Sequence, residues 1–190
     1  AGKLGDIPIQ VKERLEKINT HSDNLVKLIN DLLDISRIES GRVEMKLKKR
    51  PVAPIIENTR DLLMPQMKEK NIQFVVDAGS PLPELSIDDS QIERVFINLV
   101  GNAIKFTPKD GTITVRATAH KDHVLFEVSD TGIGIAENDM PKLFEEFYRE
   151  DNEINQNVKG TGLGLSLVKY IIEAHKGKIW VNSKLNQGTI

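Results

Sequence analysis

Three polar or glycine-rich segments follow one another in the second half of the chain, and each lies where a helix or strand should begin or end. They cover residues 98–106, 130–134 and 160–164. Glycines before a helix allow backbone amides to approach phosphate oxygens, and polar side chains on a nearby helix face can reach the same ligand. In this order, the segments predict a metal-binding helix face, an adenine floor and a phosphate loop of one nucleotide pocket.

The N-terminal region carries a heptad repeat. Apolar or small residues recur three and four positions apart between residues 8 and 40, namely at Leu15, Ile18, Ser22, Leu25, Ile29, Leu32 and Ser36. This spacing predicts a long helix, and Leu28, Leu33 and Ile35 widen its stripe as in a helical bundle. Gly41 predicts its end. A single helix packed on its own domain is the alternative.

The remaining residues mix helical and strand periodicity. Helices are expected over residues 52–70, with an interruption at Pro65, over 88–106, capped by Asp88 with Gln91 three positions later, and over 164–175. A strand is expected where Val43, Met45 and Leu47 alternate with charged residues. Further strands are expected over residues 72–76, 112–118, 124–128 and 178–182, and a loop over residues 80–83. The helices and strands do not alternate regularly along the chain as βαβ units would. This order predicts an α+β two-layer sandwich, with helices on one face of a mixed, largely antiparallel sheet.

The helix over residues 88–106 presents three polar side chains on one face. Asn98, Asn102 and Lys105 are spaced i, i+4 and i+7. The amide oxygen of Asn102 suits a Mg²⁺ ion that takes most of its negative charge from triphosphate oxygens. Lys105 can neutralise phosphate charge. For each asparagine taken alone, a surface or capping amide is the alternative.

Asp130 ends a strand and is followed closely by Gly132 and Gly134. Glycines let a flat ligand approach the backbone. An ionised carboxylate accepts the amino group of adenine and repels the carbonyl oxygen of guanine. A turn aspartate is the alternative interpretation of this segment taken alone.

The third segment contains Gly160, Gly162 and Gly164 but lacks the Gly-Lys-Ser/Thr ending of a P-loop. The polar residues 150–159 before it predict a lid over the phosphates, or alternatively a plain linker. Phe144 and Phe147, just before this segment, are expected to pack in the core.

Composition excludes several other functions. The net charge is -2, which offers no broad basic surface for nucleic acid, and there is no cysteine. The four histidines lack zinc-site spacing, so any metal is expected to be a hard cation held by oxygen. No apolar run reaches the roughly 18 residues of a membrane span, and a cytoplasmic location is expected.

The three segments, together with residues 31–41, resemble the sensor histidine kinases of the gyrase, Hsp90, histidine kinase and MutL superfamily. The resemblance covers nearly the whole chain and implies an α/β fold of the Bergerat ATP-binding type. It implies that residues 1–42 are the second helix of a dimerisation and phosphotransfer hairpin. Residues 43–190 would be the ATP-binding catalytic domain without its last strand.

The resemblance also implies which residues act. Asn98, Lys105 and Arg149 would serve catalysis, with Arg149 as a charge clamp on the γ-phosphate, and Asn102 would bind Mg²⁺. Phe144 and Phe147 would anchor the lid. The residues that would contact ATP are Asn98, Asn102, Lys105, Phe106, Asp130, Gly132, Gly134, Gly160, Thr161, Gly162, Leu163, Gly164, Leu165 and Thr189.

The resemblance implies phosphotransfer rather than hydrolysis. The hydrolases of the superfamily carry a glutamate one turn before the metal-binding asparagine, whereas this chain has Asn98, and an amide cannot act as a general base. The implied acceptor is a histidine on a dimeric helical bundle, followed by a response-regulator aspartate. The histidines at positions 21, 120, 123 and 175 all lack the acceptor pattern. The acceptor helix, and any membrane anchor, would lie in other parts of a parent kinase.

Two other functions stay open from the sequence. A serine kinase of the anti-sigma type would share the pocket but would not need the heptad helix. A non-catalytic ATP-binding module would be expected to have lost Asn102, Asp130 or the glycines, and all of them are present.

Overall fold

A computed structural model describes residues 7–39, 45–78, 82–149 and 160–190. Within these residues the α-helices are Ile9–Glu39 (α1), Ala53–Glu69 (α2), Asp89–Phe106 (α3) and Gly164–Ala174 (α4). The strands are Lys48–Arg50 (β1), Gln73–Ala78 (β2), Leu85–Ile87 (β3), Thr112–Ala119 (β4), Val124–Asp130 (β5), Ser183–Lys184 (β6) and Gly188–Thr189 (β7). A short 3₁₀ helix spans Met140–Lys142.

The main sheet has five strands in the order β2, β4, β5, β7, β6. The pair β2 and β4 is parallel, because α3 crosses over between these strands, and the other neighbours are antiparallel. Strands β1 and β3 form a separate antiparallel pair. The predicted mixed, largely antiparallel sheet is confirmed.

The core lies between this sheet and the helices α2, α3 and α4. On β4, Ile113, Val115 and Ala117 are buried, whereas Arg116 between them is exposed, so one face of the strand carries the core. Phe96 of α3 meets Phe126 of β5 edge to face, with 5.7 Å between ring centroids. The predicted two-layer arrangement is therefore present, and α3 packs against one face of the sheet.

Residues outside α3 hold both of its ends. The carboxylate of Asp88 accepts a hydrogen bond from the backbone N–H of Gln91 at 3.3 Å, so the predicted cap is present. The return bond from the Gln91 side chain is absent, because the backbone N–H of Asp88 donates to Nε2 of His175 instead. At the other end, the Lys70 ammonium donates to the carbonyl oxygens of Ile104, Lys105 and Thr107 at 2.7, 2.9 and 3.1 Å. A positive charge at a helix C-terminus also stabilises the helix dipole. This second cap was not predicted from the sequence.

Helix α1 has two different apolar faces. Ile35 is buried in the core and Leu28 packs partly against it, so these residues attach α1 to the rest of the chain. The predicted heptad positions lie on another face and are exposed, with Leu15, Ile18 and Leu25 at 51%, 60% and 58%. Leu28 and Ile35, which were predicted to widen the heptad stripe, thus contact the rest of the chain.

Other predictions need correction. Helix α2 runs through Pro65 without interruption, because Leu63 and Met67 on either side are buried and hold the helix in place. The alternation before residue 48 gives no strand at Met45 or Leu47. Instead β1 begins at Lys48, where it pairs with β3, a strand that the sequence analysis missed.

The strand expected over residues 178–182 is also absent. Asn182 exchanges two backbone hydrogen bonds with Ile190, both at 2.8 Å, and the assigned strand begins only at Ser183. Residues 177–181 have no strand neighbour within the described parts of the chain, and an isolated extended segment is not a strand.

Some predictions concern residues outside the described ranges, namely the helix end at Gly41, Val43, part of the 80–83 loop and the lid over residues 150–159. None of the described helices is both long enough and apolar enough to cross a membrane.

Candidate nucleotide-binding site

A cavity of about 1400 Å³ opens between α3, the end of β5 and the start of α4. Most of the predicted site residues line it. These are Asn98, Asn102, Lys105, Phe106, Asp130, Gly134, Arg149, Gly160, Thr161, Gly162, Gly164, Leu165 and Thr189. Gly132 and Leu163 do not line it, and Leu163 is fully buried in the core. The cavity also extends beyond these residues along β5 and to α1.

The asparagine face of α3 forms one wall. Asn98 donates from Nδ2 to the carbonyl oxygen of Arg94 at 2.9 Å, which fixes the orientation of its amide. A Cβ atom on Gly164 would lie 2.9 Å from Oδ1 of Asn98. The glycine at the start of α4 therefore allows the third segment to approach the first. Asn102 and Lys105 lie further along the same wall.

Asp130 lies at the end of β5, half-buried at the edge of the cavity. Its Oδ1 accepts a hydrogen bond from the backbone N–H of Gly132 at 2.7 Å, and the backbone N–H of Thr189 also donates to the carboxylate. Burial raises the pKa of Asp130, and the two backbone hydrogen bonds offset part of this rise. These bonds fix the carboxylate in one orientation, and it retains lone pairs for a ligand.

The glycines after Asp130 are required mainly by protein contacts. A Cβ atom on Gly132 would lie 2.6 Å from Oδ1 of Asp130 and 2.7 Å from the carbonyl oxygen of Phe106. Gly134 has φ +67°, and a Cβ there would lie 2.0 Å from the carbonyl oxygen of Lys184. The two glycines thus let the loop close on α3 and β6, which places Asp130 at the cavity.

The third segment folds tightly before α4. Gly162 has φ +76°, and a Cβ there would lie 2.7 Å from the backbone of Phe147. Thr161 Oγ1 accepts a hydrogen bond from the backbone N–H of Leu163 at 3.3 Å. No side chain caps the first turn of α4 in the described structure. Gly164 and Leu165 of this turn line the cavity, so the positive end of the helix dipole lies there.

The aromatic segment packs beside this turn. Phe147 donates its backbone N–H to the carbonyl oxygen of Gly162 at 3.1 Å, while the residue as a whole is 57% exposed. Phe144 lines the cavity. Arg149 donates from Nη1 to the carbonyl oxygen of Gly160 at 3.2 Å, so its guanidinium lies at the glycine segment. The proposed lid contact falls outside the described residues.

The residues of the cavity would fit a Mg²⁺ ion that takes most of its ligands from a bound triphosphate. Among the described residues, no three His, Asp or Glu side chains come close enough together to hold a metal. The cavity instead offers the neutral amide of Asn102. Mg²⁺ commonly binds few protein atoms and fills its octahedral shell with phosphate oxygens and waters.

The histidines occupy different places. His21 borders the wide cavity from an exposed position on α1. His175 accepts the backbone N–H of Asp88 at Nε2, at 3.0 Å, while its Nδ1 lies 2.8 Å from the carbonyl oxygen of Ile171. Since that carbonyl only accepts, His175 carries its proton on Nδ1 and has a structural role. His120 and His123 stack on each other at the β4–β5 turn.

Ser183 joins the loop after Asp130 to β7 and was not predicted as a site residue. Its Oγ accepts the backbone N–H of Ile135 at 2.9 Å and lies 2.8 Å from Thr189 Oγ1. A signal was available, because Asn186 and Gly188 are typical hairpin-turn residues and both have positive φ. That turn would have placed Ser183 opposite Thr189.

Comparisons with known proteins agree with this geometry. The sequence profile of the histidine kinase-, DNA gyrase B-, and HSP90-like ATPase family matches residues 87–190. The circadian input-output histidine kinase CikA of Synechococcus elongatus is 33% identical over 188 residues, which cover 98% of this chain and 25% of CikA. The chain thus spans about a quarter of that relative.

Two solved structures are also similar. Full-length ShkA, crystallised in complex with AMPPNP, superposes with a TM-score of 0.84 at 28% identity, covering 98% of this chain and 39% of ShkA. The nucleotide-free catalytic domain of histidine kinase ThkA gives a TM-score of 0.67 at 29% identity, covering 76% of this chain and 91% of that domain. The chain belongs to the histidine kinase-, DNA gyrase B-, and HSP90-like ATPase family and has the fold of the catalytic domain of sensor histidine kinases.

Proposed function

We propose that this chain binds ATP with Mg²⁺ in the cavity and transfers the γ-phosphate to a histidine on another helix. The observation that carries this proposal is the convergence of Asn102, Asp130 and Gly162 on one cavity, although they belong to three separate segments. Two of the segments supply the polar side chains, and the third supplies backbone amides.

Adenine would bind at the Asp130 end. An ionised carboxylate accepts hydrogen bonds only, so it pairs with the exocyclic amino group of adenine and disfavours the O6 carbonyl of guanine. The backbone N–H groups of Gly132 and Thr189 hold this carboxylate in place before a ligand arrives. Recognition of the base therefore needs little rearrangement.

The phosphates would lie between the asparagine face and the start of α4. Lys105 and Arg149 line the cavity and supply positive charge. Asn102 would hold the Mg²⁺, which neutralises and orients phosphate oxygens when bound. Backbone amides near Gly162 would donate hydrogen bonds to the phosphate oxygens at a helix N-terminus.

Transfer to another group is favoured over hydrolysis. Position 98, one turn before Asn102, carries an amide, and this amide is already bonded to the carbonyl of Arg94. It cannot take a proton from water at neutral pH. The site would therefore hold and orient ATP until an external nucleophile approaches in line.

The nucleophile would be a histidine on a helix that packs against α1. The heptad positions of α1, including Leu15, Ile18 and Leu25, are exposed and offer an apolar face to such a helix. A homodimer would form through this hairpin, and a response-regulator aspartate would receive the phosphoryl group. Because ATP and response regulators are cytoplasmic, this part of the parent kinase would be cytoplasmic.

The test is phosphotransfer from γ-labelled ATP with and without an added helical hairpin that carries an acceptor histidine. The chain alone should bind ATP and stay unlabelled, whereas the hairpin should gain acid-labile phosphate. Tight ATP binding without any transfer would instead favour a non-catalytic module, and acid-stable label on a serine would favour a serine kinase. Acid-labile label on the chain alone that disappears in His21→Ala would make His21 an acceptor.

A further inference from the structure

The side chain of Ser183 connects three parts of the adenine end of the cavity. It lies in β6, partly buried, and its Oγ is 2.9 Å from the backbone nitrogen of Ile135 and 2.9 Å from the carbonyl oxygen of Gly188. It also lies 2.8 Å from Oγ1 of Thr189. A hydroxyl group has one proton and two lone pairs, so these three contacts use its full capacity.

The direction of each bond follows from the partners. The Ile135 N–H can only donate, so it takes one lone pair of Ser183 Oγ. The carbonyl of Gly188 can only accept, so it takes the single proton of Ser183. The remaining lone pair can only receive a proton, and Thr189 must therefore donate its hydroxyl hydrogen to Ser183.

This arrangement determines what Thr189 offers to a ligand. With its proton directed to Ser183, Thr189 Oγ1 has lone pairs left for the cavity that it lines. Thr189 is also directly opposite Asp130 in the β5–β7 pairing, so the two side chains lie on the same face of the sheet. The adenine end therefore presents two neighbouring acceptors, one charged and one neutral.

We propose that Ser183 is a positioning residue for base selectivity: it directs the Thr189 proton away from the ligand, so that Thr189 and Asp130 both accept. This inference rests on the proposed binding of ATP. The amino group of adenine has two N–H donors that satisfy such a pair. The O6 of guanine would face two acceptors, and Thr189 could not turn its proton toward it without breaking the bond to Ser183.

The experiment measures ATP and GTP affinities by calorimetry for wild type, Ser183→Ala, Ser183→Thr and Thr189→Val. Ser183→Ala frees the Thr189 hydroxyl to donate to guanine, so the ATP-to-GTP affinity ratio should fall by roughly three- to tenfold, the effect of one neutral hydrogen bond. Ser183→Thr keeps the hydroxyl and should retain the ratio. In a Thr189→Val background, Ser183→Ala should have no further effect on the ratio.

The matched control is Ser90→Ala, which loses a hydrogen bond of 2.7 Å to Asp88 Oδ1 at the far end of α3. It should lower the melting temperature without changing the ratio. Ser183→Ala would overturn the inference if it lowered both affinities equally, because that result marks a purely structural role. If wild type binds no ATP, or if Asp130→Ala leaves the ratio unchanged, the proposed function or its base placement fails instead.

Discussion

Arg94 of α3 forms an ion pair with Asp34 of α1, with 2.7 Å between Nη1 and Oδ2. The other guanidinium nitrogen, Nη2, lies 3.4 Å from Oδ1 of Asp31, whose side chain is only 8% exposed. Arg94 is one turn before Asn98 and accepts its amide proton at the backbone carbonyl. Ion pairs thus connect α1 to α3, the helix that carries the asparagine face.

Replacing Arg94 by alanine should loosen α1 from the rest of the chain. The carboxylate of Asp31 would lose this cation while it stays largely buried, and we expect a loss of about 1–3 kcal/mol in the free energy of unfolding. Chemical denaturation measures this loss, and hydrogen exchange should increase around Leu28 and Ile35. Arg60→Ala is the control, since its pair with Asp61 is exposed. Equal effects of the two substitutions would contradict a special role for Arg94.

Asn102→Ala should remove most of the dependence of ATP affinity on magnesium. Asn102 lines the cavity, and in the proposed site its amide oxygen would be a neutral ligand of the ion while the triphosphate would supply most of the others. Calorimetric titrations with magnesium and with a chelator give the two affinities. Asn58→Ala, which removes an exposed amide on α2, should keep the wild-type difference. An unchanged magnesium effect in Asn102→Ala would place the ion elsewhere.

Asp130 should make stability depend on pH in a particular direction. Burial raises its pKa above the ordinary value of 3.8, so the folded protein binds this proton more tightly than the unfolded chain does. The free energy of unfolding of the ligand-free protein should therefore fall as pH rises from 3.8 through the folded pKa of Asp130. Above that pKa the contribution should stay constant.

The variant Asp130→Asn has no titratable group at this position. Its free energy of unfolding should therefore lack this part of the pH dependence. Urea unfolding of both proteins over a series from about pH 4 to about pH 7 measures the effect. The stability of wild type relative to the variant should decrease with rising pH. A difference that is constant across the range would show that burial does not raise this pKa.

Arg149→Ala should affect phosphotransfer more than nucleotide binding. The guanidinium lies at Gly160, beside the segment that would hold the phosphates, and a clamp on the γ-phosphate strengthens as charge develops in the transition state. Transfer to a supplied acceptor should fall by at least roughly tenfold, while ADP affinity changes little. A wild-type transfer rate, or a collapse of ADP binding, would refute this role.

The sequence predicted best the features that depend on local spacing. Asn98 and Asn102 meet on one wall because a helix repeats every 3.6 residues, and Asp88 caps the same helix because N-caps are local. The position of Asp130 at the cavity was also predicted, because this residue ends an alternating strand just before two glycines.

Features that depend on pairing between distant segments were not predictable in this way. Thr189 meets Asp130 through strand pairing, and its place in the site came from the family resemblance alone. Ser183 was not predicted to belong to the site, because the expected strand ended at residue 182 and the assigned strand begins at Ser183. The contact that Leu28 and Ile35 of α1 make with the core depends on which part of the chain α1 packs against. The periodicity of α1 alone does not reveal this.

The two end caps of α3 have a consequence for binding thermodynamics. Asp88 at the start and Lys70 at the end both come from outside the helix, and neither lines the cavity. The asparagine wall is therefore ordered when the chain folds, so its conformational entropy is lost before any nucleotide arrives. That loss lowers folding stability and leaves ligand affinity undiminished, which makes α3 a preorganised half of the site.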